Sequence, residues 1–181
     1  ESEAYKAGYK TIAEIGKERI RRVINKLKTE DEGKLEFEEK KIDLGFKVFK
    51  LDSSNIISWD PETKDLEKSL FESSSNIKMD RTEYDVIFEI LLKYGLPLTV
   101  KIEVLQFENT NIYIIGNGEL FICLADINSL NIADKIVEIK ENLQPEICRV
   151  VFKDTNFLDD YIKTNTRQIL LQNNVDKVES I

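Results

Sequence analysis

Three carboxylates, Asp154, Asp159 and Asp160, stand close together just after an apolar stretch that ends at Phe152. If that stretch is a strand of a parallel sheet, they lie at its carboxyl end, where open α/β sheets place their ligands. Three carboxylates there could hold Mg²⁺ in the manner of a metal-dependent nuclease. The competing use is local: Asp154 makes a turn, and Asp159 or Asp160 caps the helix that follows, which aspartate does readily. No Asp…Glu-x-Lys pattern with strand context accompanies the trio.

A second cluster is cationic. Arg19, Arg21, Arg22 and Lys26 sit within one amphipathic stretch. They could neutralise a few DNA phosphates, or solvate one face of a helix whose C-terminal dipole favours cations. Trp59 stands in a polar segment, either covering a small satellite core or anchoring an interface. Gly116-Asn117-Gly118 lacks the third glycine of a nucleotide loop and leads into a strand pattern, so no helix N-terminus is there to receive a phosphate. Asp60-Pro61 is followed by Glu62-Thr63 and is not the Asp-Pro-Pro-Tyr that presents an adenine amino group in methyltransferases; it reads as a helix start.

Other chemistries are removed by composition. The chain of 181 residues has no histidine, which excludes Ser-His-Asp and Cys-His nucleophile systems, His-x-x-x-His zinc sites and imidazole shuttles made from this polypeptide alone. Cys123 and Cys148 each lie in an apolar stretch without the close pairing of a zinc or redox motif, so both read as reduced core thiols of an intracellular, cytoplasmic protein. No apolar run approaches the roughly 20 residues that span a bilayer, and no signal peptide is visible, so no membrane is expected as a partner. The chain starts at Glu1, and its sole methionine is Met79, which suggests a piece of something longer.

The elements that must position these residues follow from periodicity and punctuation. Residues 11–28 form an amphipathic helix, with Ile12, Gly16, Ile20, Val23, Ile24 and Leu27 at three- and four-residue steps. Its apolar face must pack on something. Residues 29–41 (TEDEGKLEFEEKK) read as a charged connector and the seam of the chain. A half-buried strand is expected at 45–51, followed by the polar turn Asp52-Ser53-Ser54-Asn55 and a short helix from Pro61 to about Phe71. The next helix is capped by Asp80 or Thr82, lines one face with Val86, Ile90, Leu91 and Tyr94, and stops at Gly95 before Pro97. Strands are expected at 98–104, 112–115 and 120–124, the last two joined through Gly116-Asn117-Gly118. Helix 130–143, strand 148–152, helix 158–171 and strand 175–180 then complete a β-α-β-α-β run, which implies a locally parallel sheet. The fold class is therefore α/β: an N-terminal helix followed by a mixed sheet with a C-terminal β-α-β-α-β parallel portion.

Charge divides the chain at the same seam. Residues 1–28 carry eight Lys and Arg against four Glu, a net +4, which leaves −12 for residues 29–181 of a whole-chain −8. The larger part should repel nucleic acid rather than grip it.

Five phrases, in order, match a known family: GYKTIAEIGKERIRR (8–22), LGFKVFKLDSSN (44–55), RTEYDVIFEILLKYGLPL (81–98), GELFICL (118–124) and VFKDTNFLDDYIKTNTRQIL (151–170). They resemble the C-terminal part of the modification subunit of type III restriction-modification systems, and the resemblance spans residues 5–181. Those subunits are adenine-specific DNA methyltransferases that use S-adenosylmethionine. Their catalytic Asp-Pro-Pro-Tyr and cofactor-binding Phe-x-Gly-x-Gly lie upstream of the matched part and are absent here, so no catalytic, cofactor or metal residue carries over.

The resemblance implies a division into residues 1–28, the closing helix of an upstream methyltransferase domain, a connector at 29–41, and a C-terminal α/β domain at 42–181. It implies assembly as the role: pairing with a second modification subunit and contact with the restriction subunit, with some DNA-backbone contact through the first helix as part of the parent protein, which also binds S-adenosylmethionine. The cations Arg19, Arg21, Arg22 and Lys26 would then be DNA-backbone contacts; Trp59, Asp154, Asp159 and Asp160 stand, on their residue types alone, as a candidate interface or ligand loop. Two alternatives belong to other classes: a stand-alone metal-dependent nuclease using the three aspartates, and a DNA-independent protein-binding adaptor.

Overall fold

Helix termini leave unpaired backbone groups, and the stretch around residues 82–95 supplies partners for both ends. Thr82 accepts from the Asp85 backbone N–H while the Asp85 carboxylate accepts from the Thr82 N–H, a reciprocal capping box. Gly95, at φ 70°, ends the helix in the left-handed conformation. A computed structural model describes residues 2–31, 44–57 and 77–181, in two compact units, Glu1–Lys50 and Leu51–Ile181.

In the first unit a single helical turn, Glu3–Lys6, precedes helix α1, Ile12–Asp31. Thr11 and Glu14 cap the start of α1: the Glu14 N–H bonds the Thr11 hydroxyl and the Glu14 carboxylate accepts from the Thr11 N–H. The helix runs three residues past Lys28, into the stretch whose composition marked a connector. Thr29 is bound there through its hydroxyl to the Lys26 and Asn25 carbonyls. No described residue of this unit is buried.

The second unit holds the core. Helix α2 (Glu83–Tyr94) precedes strands β1 (Ile102–Phe107), β2 (Thr110–Ile115) and β3 (Leu120–Cys123). Helix α3 (Asn131–Leu143), strand β4 (Arg149–Phe152), helix α4 (Asp160–Gln172) and strand β5 (Lys177–Ser180) complete it. The sheet order is β1-β2-β3-β4-β5, antiparallel from β1 to β3 and parallel from β3 to β5, as the β-α-β-α-β pattern predicts.

Alternation along each strand sends side chains to two faces, and both faces are covered. On one, Val86, Ile87, Ile90 and Leu91 of α2 pack on Tyr113, Ile115, Leu120, Ile122 and Val151. On the other, Ile132, Ala133 and Ile136 of α3 with Ile162 and Leu170 of α4 pack on Ile112, Phe121, Val150 and Phe152. The central strand β3 is buried at every position, which is why Leu-Phe-Ile-Cys is apolar without alternation. Each such side chain contributes about 1.5–3 kcal/mol by leaving water.

Three expectations are corrected. Residues 45–51 form no strand: Phe46, Val48, Phe49 and Leu51 are exposed, and among the described residues the nearest strand-like pairing is an isolated bridge between Ile56 and Ile77. Alternating apolar residues become a strand only where a partner edge exists. The strand expected at 98–104 begins at Ile102, because Pro97 starts a turn closed by the Val100 N–H on the Pro97 carbonyl. That strand also continues to Phe107, through a two-residue hairpin with Glu108 at φ 52°. A glutamate in a left-handed position gives no hairpin signal; its carboxylate instead accepts from Ser129 and Asn131 across the domain.

Candidate functional site

Open α/β sheets bind ligands at the carboxyl ends of their parallel strands. Crevices open there when successive crossovers pass to opposite faces of a sheet. Here α3 and α4 lie in one hydrophobic cluster and touch each other, so both crossovers share a face and the strand order has no reversal. The loops after β3 and β4 are moreover joined by backbone. The Ile127 N–H bonds the Asn156 carbonyl at 2.8 Å, the Leu158 N–H bonds the Ile127 carbonyl, and the Asn156 amide bonds the Leu124 carbonyl at 2.7 Å.

Within these loops each of the three aspartates has its own local task. Asp154 opens a 3-10 turn and pairs with Lys163 at 2.6 Å; that ammonium, with the Ser180 hydroxyl, holds its carboxyl below the usual range. Asp159 caps α4, accepting the Ile162 N–H at 2.7 Å. Asp160 is exposed in the first turn of α4, where the macrodipole favours an anion. Among the described residues no group of three or more Cys, Asp or Glu is placed to hold a metal. The helix-capping use is the one realised, and the nuclease alternative has no donor set in this loop.

The cations of α1 are split. Three and four residues apart on a helix of 3.6 residues per turn, Arg19, Arg22 and Lys26 share one stripe. Arg22 is bound to Glu18 at 2.9 Å. Arg21 lies about 100° around the helix from Arg22 and stands over the Phe46 ring at 5.9 Å. All four are exposed. Beside them the apolar face is uncovered, with Ile12 at 89%, Ile20 at 45% and Val23 at 52% exposure.

A dense polar constellation, among the described residues, surrounds the polar turn Asp52-Ser53-Ser54-Asn55. Residues 52–55 are clipped onto the N-terminal half of α2. Asp52 pairs with the Arg81 guanidinium at 2.8 Å, and the Lys78 ammonium donates to the Ser53 hydroxyl at 2.9 Å. The Glu89 carboxylate receives the Ser54 hydroxyl and the Asn55 N–H, each at 2.7 Å, while the Asn55 amide donates to the Asp85 carbonyl at 2.9 Å. The Arg81 hydrogen bond holds the Asp52 carboxyl at about 2. Burial works against ionisation of Glu89, yet bonds from Ser54, Asn55 and Lys93 outweigh it and hold that carboxyl at about 2 as well. Carboxylates so firmly ionised by their neighbours act as anchors and not as proton carriers. Nothing local in the sequence announces pairings across some thirty residues; the matching polar runs in LDSSN and RTEYD are the only sign.

The remaining candidates also serve packing. Tyr94 donates to Glu179 and Tyr113 to Glu83; burial, then the carboxylate, pushes each phenol above its ordinary value. Arg149 stands over the Tyr94 ring at 5.6 Å. Cys123 and Cys148 are buried and unpaired by any disulfide, and burial pushes their thiols up to about 12 and about 11. Gly116 and Gly118, at φ 61° and 95°, turn β2 into β3, as expected of a hairpin. Trp59 and the helix expected from Pro61 to Phe71 lie outside the described residues.

The fold so defined is a three-layer α/β module in which Asp52, Glu89 and Asp154 tie down loops and Asp159 caps a helix. No protein-family model matches the chain, and no curated protein matches it. Among the described residues no helix is long and apolar enough to cross a membrane.

Proposed function

We propose that this chain is the C-terminal assembly region of a type III restriction-modification adenine-N6 DNA methyltransferase. Its work is subunit association: pairing with a second modification subunit and meeting the restriction subunit, while S-adenosylmethionine and DNA are handled by the rest of the parent protein. The observation that carries the reading is the contrast between the two units. The Leu51–Ile181 module buries its apolar residues within itself and ties its carboxylates into loop anchors, whereas Glu1–Lys50 has no buried described residue and displays an apolar helix face. Such a helix suits a piece whose partner surface belongs to another body. The five ordered sequence phrases supply the family.

An adenine-N6 transferase needs a preorganised site for the amino nitrogen and a bound methyl donor, and this chain carries neither motif. The purified chain is therefore expected to transfer no labelled methyl group from S-adenosylmethionine to DNA, and measurable transfer would refute the proposal. The matching positive test deletes residues 51–181 from the intact modification subunit. Light scattering should then show a loss of subunit association, with the methyltransferase motifs still present upstream of Glu1. An open reading frame without those motifs would favour the adaptor alternative.

A further inference from the structure

Helix α1 carries a stricter pattern than amphipathicity. Ala13, Gly16, Ile20, Val23 and Leu27 alternate steps of three and four residues, the spacing of a coiled-coil seam. At 1.5 Å per residue the seam is about 21 Å long. Ala13, Ile20, Val23 and Leu27 are exposed, and a Cβ added at Gly16 would meet nothing within 4 Å. Glycine weakens a helix interior relative to alanine, and no described part of this chain uses the space it leaves. Both flanks of the seam bear cations: Arg19 and Lys26 on one side, Lys17 on the other.

We propose that α1 docks through this seam onto an α-helical protein surface whose own apolar stripe is rimmed by Asp and Glu. Charge decides between occupants. Antiparallel pairing of two α1 helices would set Arg19 and Lys26 of both copies on one flank, and like charges at flanking positions repel. Parallel pairing would stack Gly16 on Gly16 and Ala13 on Ala13, leaving only Ile20, Val23 and Leu27 to fill the seam. Duplex DNA would use the cations and leave the apolar residues in water. An acid-rimmed helix satisfies both features, with Gly16 allowing close approach. The inference names a partner chemistry for α1 and stands on that helix alone; the methyl-transfer and truncation experiments test the family reading separately.

The test uses the 181-residue chain and three probes. Two are labelled amphipathic peptides about three heptads long with leucine at the seam positions, one with glutamate and one with lysine at the flanks; the third is a duplex DNA of about 20 base pairs. Fluorescence anisotropy should show the glutamate peptide bound at least about tenfold more tightly than the lysine peptide. The double variant Arg19→Glu/Lys26→Glu should reverse that preference. Val23→Asp should abolish binding of the glutamate peptide, with circular dichroism reporting the helix, and the gentler Val23→Ser should weaken it. Equal affinity for the two peptides overturns the proposal. So does DNA binding that Arg19→Glu/Lys26→Glu removes and Val23→Asp leaves intact, and so does a dimer in light scattering that Val23→Asp dissolves, which would assign the face to a second copy.

Discussion

Replacing Glu89 by glutamine tests whether the 52–55 clip holds the module together. The Glu89 side chain is 16% exposed, receives the Ser54 hydroxyl and the Asn55 N–H at 2.7 Å each, and lies 3.0 Å from the Lys93 ammonium. In Glu89→Gln one oxygen is replaced by an NH₂, so one of the two donors faces another donor and the charge assistance is lost. A fall of the carboxyl from 4.5 to about 2 corresponds to about 3 kcal/mol of linkage at most. Screening by water on the Lys93 side reduces that to about 1–2 kcal/mol. At pH 7 the group is ionised in both folded and unfolded chains. As pH falls through 4.5 the unfolded chain takes up the proton while the folded chain keeps its charge to about 2, so the stabilisation present above 4.5 is lost progressively toward pH 2. Urea unfolding of the two proteins should therefore show a gap of about 1–2 kcal/mol at pH 7 that narrows by pH 3.5. Asp52, also held at about 2, titrates alike in both proteins and cancels from the difference. A gap below about 0.3 kcal/mol at pH 7, or one unchanged between pH 7 and pH 3.5, would show that the clip is an exposed decoration.

Other outcomes follow from single positions. Gly118→Ala places a Cβ 3.2 Å from Leu143 Cδ1 and 3.4 Å from Pro145 Cγ at φ 95°; it should cost about 2–3 kcal/mol in thermal unfolding, against about 1 for Gly95→Ala, where φ is positive but the space is open. Equal costs would remove the packing contribution. Both cysteines, buried and with raised thiols, should resist a disulfide reagent at pH 8 until guanidinium is added; rapid labelling of the native chain would place at least one outside the core. Asp159→Ala should lower stability by about 1 kcal/mol through loss of the α4 cap, and Mg²⁺ or Mn²⁺ should leave the melting temperature of the parent and the variant unchanged. A metal-dependent rise in the parent alone would restore the nuclease reading of that loop.

Locally encoded features are legible in this chain. Thr82 with Asp85 and the glycine at 95 delimit α2 because a cap is made by residues three or four positions away. Gly116-Asn117-Gly118 announces its hairpin because positive φ is a property of the residue itself. The apolar rhythm from Leu120 to Ser180 similarly encodes strand, helix, strand, helix, strand, and the parallel half of the sheet follows from that order. Tertiary partners decided the rest. GFKVFKL has a strand-like rhythm but no edge to join among the described residues, and the carboxylate of Glu108 at its hairpin turn accepts from Ser129 and Asn131, some twenty residues on. The Asp154, Asp159 and Asp160 trio has the composition of a metal site, but Lys163, the Ile162 N–H and solvent claim its members one by one. Composition specifies which groups a chain carries. Their chemistry depends on which other groups stand within about 3 Å of them, and for contacts distant in sequence only the folded chain sets that distance.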